Sequence, residues 1–398
     1  RVGLNNGQGL GTGNILVNAA GILGLGGVTV ANNISGAGTV LKTSNNTGTL
    51  TGANTYSGGT TVQGGTLRVT SGQALGTGAV SLAAGTVLDV SNTTNTLLAN
   101  LIQGDGALLK TGAGGVTIGT ANTYSGGTTI NGGAIIATHG QALGSGGVSV
   151  NSGALLGLGD VTFGNAITGA GAVVKTGSGI GVLTGANTYT GGTAVSAGTL
   201  RVANTSAIGT GGVSIATGAT FEMANASNLT FANALSGPGT FRKTGAGDLT
   251  FSSAFSVGSL LVDAGRVRLN AAMTGNATVG AGGILNGVGQ VTGTLTNNGT
   301  VAPGNSIGTL NVQGNYVHNA NSILEIEFDS AGGIDLLNVS GTAQLNGGTL
   351  RFISLGGAEG NGGTFLIANG GVSGTFANIE TVGAQLPLSV IYQPNASI

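Results

Sequence analysis

Gly52-Ala53-Asn54-Thr55-Tyr56-Ser57-Gly58-Gly59-Thr60-Thr61 decides the fold, because the chain writes its core again and again. It returns as Asn122-Thr123-Tyr124-Ser125-Gly126-Gly127-Thr128-Thr129 and as Asn187-Thr188-Tyr189-Thr190-Gly191-Gly192-Thr193-Ala194. A decayed fourth copy puts Phe255 at the tyrosine position. The copies, opening at Asn54, Asn122 and Asn187, recur at a near-constant interval of about 65–68 residues. No single turn module is that long, but a third of it, about 22 residues, suits one coil of a parallel β-helix.

Working outward, other landmarks keep the same step. The four lysines, Lys42, Lys110, Lys175 and Lys243, are each followed by threonine and preceded by a Gly-x-Gly step such as Gly36/Gly38 or Gly104/Gly106. Leu75-Gly76-Thr77-Gly78 returns as Leu143-Gly144-Ser145-Gly146 and Ile208-Gly209-Thr210-Gly211, with Leu10-Gly11-Thr12-Gly13 as a forerunner. Between the glycines, Val80-Ser81-Leu82, Val148-Ser149-Val150 and Val213-Ser214-Ile215 alternate apolar and polar, the period of a strand with one face buried. Phe221-Glu222-Met223 alternates too, which sets Glu222 on the wet face. No stretch holds the 3.6-residue apolar period of a helix. The expected fold is therefore all-β, a right-handed parallel β-helix with about 22 residues per coil. Three coils per repeat would stack Leu50, Ile118, Leu183 and Leu249 on one inward face, and the tyrosines with Phe255 on another.

Composition agrees. Glycine supplies 83 of 398 residues, cysteine and tryptophan none, and charged residues only 6 %, while 40 % are hydrophobic. A disordered tail would be poorer in apolar residues. Eleven basic residues spread along the chain form no nucleic-acid footprint. No apolar run reaches the ~20 residues of a membrane helix, and 4 % aromatics cannot make the girdles of a membrane barrel. The opening Arg1-Val2-Gly3 already lies in the repeat pattern, matching Arg68-Val69 and Arg201-Val202, so no leader peptide is expected within the chain.

The character changes near Thr300. Thr300-Val301-Ala302-Pro303-Gly304-Asn305-Ser306-Ile307-Gly308-Thr309-Leu310 has no counterpart upstream, and the strands Ile323–Asp329 and Leu336–Gly341 are richer in bulky side chains. Residues 1–299 are read as the repeat β-helix, and residues 300–398 as its better-packed end, closing near Leu386-Pro387-Leu388.

Candidates for chemistry are few. His139 and His318 are separated by about eight coils of the expected helix, too far to share a metal, and are read as surface or turn residues. The only carboxylate cluster is Glu325, Glu327 and Asp329, whose i, i+2, i+4 spacing gives them one face of a strand opposite Leu324, Ile326 and Phe328. That pattern is the solvent face of an amphipathic strand; a weak calcium site completed by Asp335 from a neighbouring coil is the alternative. The lysine column is read as charges kept outside for solubility. No catalytic, cofactor-binding or metal residue is assigned, and no cofactor is expected.

The Gly52–Thr61 block followed by Gly65-Thr66-Leu67 resembles the passenger-associated transport repeat of autotransporters. Thr300–Leu310, Glu325–Asp329 and Asn338–Leu350 resemble the pertactin-like C-terminal passenger region, which includes the autochaperone. The resemblance covers nearly the whole chain. It implies type V secretion, folding from the C-terminal end, and display at a Gram-negative cell surface through a C-terminal translocator β-barrel that this sequence lacks. The expected function is a non-catalytic stalk or adhesin-like passenger, with host or neighbouring bacterial cells as partners. The alternatives are the carrier portion of a secreted protease or esterase whose catalytic domain lies upstream and, more remotely, a polysaccharide lyase-like β-helix.

Overall fold

In the computed structural model, which describes residues 2–4, 10–357, 363–383 and 390–391, the chain is an all-β parallel solenoid with almost no helix. It divides into two compact units, Arg1–Gly198 with Ser206–Gly211, and Thr199–Thr205 with Gly212–Ile398.

In the first unit short strands of mostly two to four residues alternate with glycine corners, and each strand pairs in parallel with the strand one coil on. On one face Val40 pairs with Thr60, Thr60 with Val80 and Val80 with Ile102. One coil thus takes about 20 residues, fewer than the sequence suggested, since the glycine corners are tighter. Alternate residues point inward. Val40, Leu67, Leu88, Ile118 and Val150 are buried because a strand rising ~3.3 Å per residue turns every second side chain to the interior.

The shorter coil changes where the repeats fall. A repeat of about 65–68 residues then spans about three and one-third coils, so equivalent positions step from face to face. Lys42 ends Thr39–Lys42, in the sheet that holds Ile22–Leu25, Thr60–Val62 and Val80–Leu82. Lys110 ends Ala107–Lys110, in the sheet of Thr66–Val69, Val87–Val90 and Thr128–Ile130. Lys175 ends Ala172–Lys175, in a third sheet with Gly115–Ile118, Ala134–Ala137 and Leu155–Leu158. The expectation that repeat copies share a face is corrected by these memberships.

The second unit has a bulkier interior. Phe221, Phe231, Phe241, Phe251 and Phe255 form a chain of ring contacts with centroids 4.4–6.0 Å apart. Counting from the lysine, Phe251 rather than Leu249 corresponds to Leu50, although both are buried, and Phe255 falls at the asparagine position, with Val257 rather than Phe255 at that of the tyrosine. Phe255–Leu269 and Ala272–Gly287 run through the corners as long strands. Further on the coils lengthen: Val301 pairs with Leu324, Leu324 with Leu350 and Leu350 with Ile379, each step longer than the one before. Asn378–Val382 is exposed along its whole length. The closing segment at Leu386–Leu388 lies outside the described residues.

Candidate functional site

Side chains of the repeated block knit successive coils together. Asn54 is buried, and its Oδ1 accepts from the Ile34 N–H one coil back (2.8 Å) while its Nδ2 donates to the Ala74 carbonyl one coil on (2.6 Å). Asn122 does the same to Ile102 and Ala142, and Asn187 to Ile167 and Ala207. One amide therefore ties three coils. Two residues on, the tyrosine hydroxyl bonds a buried threonine: Tyr56 to Thr60 (2.6 Å), Tyr124 to Thr128 (2.7 Å) and Tyr189 to Thr193 (2.6 Å). Burial pushes the Tyr56 and Tyr189 phenols up to about 12, against the weaker opposite pull of the threonine bond, and pushes Tyr124 up as well. Gly76, Gly144 and Gly209, with φ of 64°, 63° and 61°, lie over these rings, where a Cβ would strike the tyrosine carbonyl. The glycine of Leu-Gly-Thr-Gly is thus required twice, by backbone conformation and by space. Asn100 and Asn165 cap the same turns, each donating to both glycine carbonyls.

The lysines are inside, which corrects the surface reading. Lys42, Lys110, Lys175 and Lys243 are fully buried. Each ammonium donates to the carbonyl two residues ahead: Ser44, Gly112, Gly177 and Gly245. Lys42, Lys110 and Lys243 reach a second carbonyl one coil further, on Gly64 (3.0 Å), Gly132 (3.2 Å) and Ala264 (3.3 Å). Lys175 instead meets Asp160 at 2.7 Å, and that bond is the main reason the Asp160 carboxyl sits below its ordinary value. Burial lowers Lys42, Lys110 and Lys243, with Asp89 and Asp248 opposing at the last two. Buried in this way, the ammonium groups present no charge at the surface.

Other charges are paired between coils: Arg68 with Asp89 (2.7 Å), Arg201 with Glu222 (3.0 Å), Arg242 with Asp263 (2.6 Å) and Arg268 with Asp248 (2.7 Å). Glu222 does point away from the core, but it is only 3 % exposed, covered by Arg201 and bonded by Thr244. Its wet-face assignment is therefore wrong.

The C-terminal candidates separate. In Ile323–Phe328, Leu324, Ile326 and Phe328 face in, while Glu325 and Glu327 share the half-buried outer face with Ile323. Glu325 pairs with Arg351 (3.4 Å), which also holds Glu380 (3.2 Å). Asp329 only caps its own turn, accepting from Ala331 and Gly333. Asp335 is buried and returns beside Glu327 through a tight turn rather than from a neighbouring coil. It accepts the Gly308 and Glu327 N–H groups, both at 2.8 Å, and burial outweighs these bonds to push it up to about 7. Burial first, and then the Glu325 charge, raises Glu327 as well. With Arg266, Arg268 and Asn286 these acids line a polar cavity of about 100 Å³. Among the described residues no group of three or more His, Cys, Asp or Glu side chains is arranged to hold a metal.

His139 is a turn residue whose Nδ1 accepts from the Gln141 N–H. His318, expected at the surface, is fully buried. It shares Nδ1 with the Tyr316 hydroxyl (2.9 Å) and Asn297 (3.4 Å), its ring meets Phe376, and burial lowers it to about 4.

The stretches that carry the clamp match a known family of repeats. The passenger-associated-transport-repeat matches residues 40–69, 108–137 and 173–202. The chain carries three such repeats. Each matched stretch holds one complete clamp, lysine, asparagine, tyrosine and threonine. The repeats and the parallel solenoid that carries them are consistent with an autotransporter passenger. No curated protein matches the chain.

Proposed function

We propose that this chain is a non-catalytic, stalk or adhesin-like part of an autotransporter passenger, displayed at a Gram-negative cell surface through a C-terminal translocator β-barrel. The observation that carries the reading is the use of the chain's reactive groups. All four lysines and most described arginines are spent on bonds between coils, so few basic groups are left unpaired. A charge-poor, hydrogen-bonding solenoid suits spacing and contact better than acid–base work, which needs unpaired groups with tuned pKa values in one cleft. The polar cavity at Asp335 is the place where catalysis would have to reside, so it sets the test. The chain joined to a leader and a translocator barrel is expected to be shaved from intact cells by protease and, once purified, to leave polysaccharide, ester and peptide substrates unchanged. Retention inside the cell, or turnover abolished by Glu327→Gln, would replace this reading with an internal or enzymatic one.

A further inference from the structure

The strand registers align Val90 with Lys110, Leu158 with Lys175 and Met223 with Lys243. Two residues past each first partner stand Asn92, Asp160 and Asn225, one coil before the lysine and at the same corner. Asp160 bonds its lysine directly. Asn92 and Asn225 turn their Nδ2 groups onto carbonyls, Thr94 and Gly115 for one and Ser227 and Asp248 for the other. Their Oδ1 atoms are buried without a partner. Each corner is thus walled by oxygen acceptors from consecutive coils, and the ammonium is the donor that meets them.

The geometry points to this corner being a binding site for a primary ammonium ion, which the chain fills with its own lysine. Backbone carbonyls converging in a buried space are costly to leave unmet, and a charged donor satisfies them best. A lysine ammonium brings three donors from one compact point, whereas a guanidinium brings a planar fork that such a corner does not match. The Asn92 and Asn225 oxygens are further unmet acceptors at the same corners, in the position from which the Asp160 oxygen receives Lys175. Lysine is then a tethered ligand that locks a corner in each repeat.

The test uses the full chain carrying Lys110→Ala. This truncation removes from the corner the atoms of one n-propylammonium ion. The variant's thermal midpoint is expected to fall by several degrees. Added n-propylammonium should restore at least half of that loss, saturably, and leave the native chain unmoved, while tetramethylammonium, which has no N–H, restores nothing. Should Lys110→Ala fail to fold alone, refolding in propylammonium but not in tetramethylammonium supports the site, and failure in both overturns it. No recovery, equal recovery by both ions, or a Lys110→Met variant as stable as the native chain overturns it too.

Discussion

In the first unit the parallel ladders and an aliphatic core are stitched by repeated asparagine and tyrosine side chains that reach from one coil to the next, and in the second a run of aromatic rings spans successive coils. Coil size does not set the contrast, because Phe221 pairs with Phe241 and Phe231 with Phe251 at the same step of about 20 residues as in the first unit. The first unit's interior is mostly Val, Leu and Ile, with Tyr56, Tyr124, Tyr189 and Phe163 as its large rings, and there the asparagine and tyrosine clamps add direction. In the second unit the phenylalanines from Phe221 to Phe255 fill the interior. Hydrophobic contact is non-directional, whereas a buried amide that ties three coils fixes their register, because a one-residue slip would leave both of its partners unpaired. The repeat therefore specifies alignment, and the aromatic segment supplies bulk stability.

The largest effect expected from this contrast is at Phe241, which is fully buried and touches Phe221, Phe231 and Phe251. Phe241→Ala should cost about 3–5 kcal/mol by lost burial and the cavity left behind. Hydrogen exchange followed by mass spectrometry should show protection falling in residues 220–262. A loss under about 1 kcal/mol would mean that the aromatic chain is not the main support of its unit.

The parallel β-helix, the alternation of its strands and the absence of long helix were legible from the repeated block and its glycines. Coil length was not, because short and long corners look alike in a glycine-rich sequence, and a small error per coil hid the face-to-face stepping of the repeats. The lysines were legible and misread. Val40 and Lys42, Leu108 and Lys110, Val173 and Lys175, and Phe241 and Lys243 stand two apart, so strand period places each pair on one side. Charge argues for the surface and period for the interior, and period prevails because carbonyl groups at a corner receive the ammonium. The same alternation, Tyr316 then His318, already placed His318 inside. The covering of Glu222 by Arg201 was not legible, because it depends on which residues lie one coil apart.

His318 sharpens the comparison through pH, since the first unit's histidine, His139, lies in a turn. Its folded value of about 4 is below the ordinary 6.5, so the folded state binds fewer protons between those values. Stability from the neutral ring is complete above pH 6.5, falls as pH drops toward 4, and is fully lost below it. The difference amounts to about 3 kcal/mol. Asp335 works the other way, its raised value removing stability as pH rises from about 4 to 7, so the acid limb must be isolated by substitution. Denaturant unfolding from pH 7 to pH 4 should show His318→Gln losing about 3 kcal/mol less than the native chain. Equal losses would place the acid sensitivity elsewhere.

The smallest effect tests whether the clamps specify alignment more than they stabilise. Tyr124→Phe keeps the ring, its burial and its contact with Gly144, and removes only the hydroxyl that bonds Thr128. A neutral hydrogen bond adds about 0.5–1.5 kcal/mol net, and the Thr128 hydroxyl left behind adds a modest penalty, so a loss of about 1–2 kcal/mol is expected. If the bond acts on register, the loss should not be spread evenly. Asn122 lies two residues before Tyr124, and its bonds to Ile102 and Ala142 span the coils on either side. Exchange should therefore quicken at the Ile102 amide, which Asn122 accepts, and at the Ser145 amide, which the Tyr124 carbonyl accepts, while the Phe241 segment stays unchanged. A double variant with Asn122→Ala should then lose less than the sum of the two single losses, since residues acting in one network couple. Strict additivity would mean that the two clamps act independently, and the repeat would be a set of separate bonds rather than one alignment device.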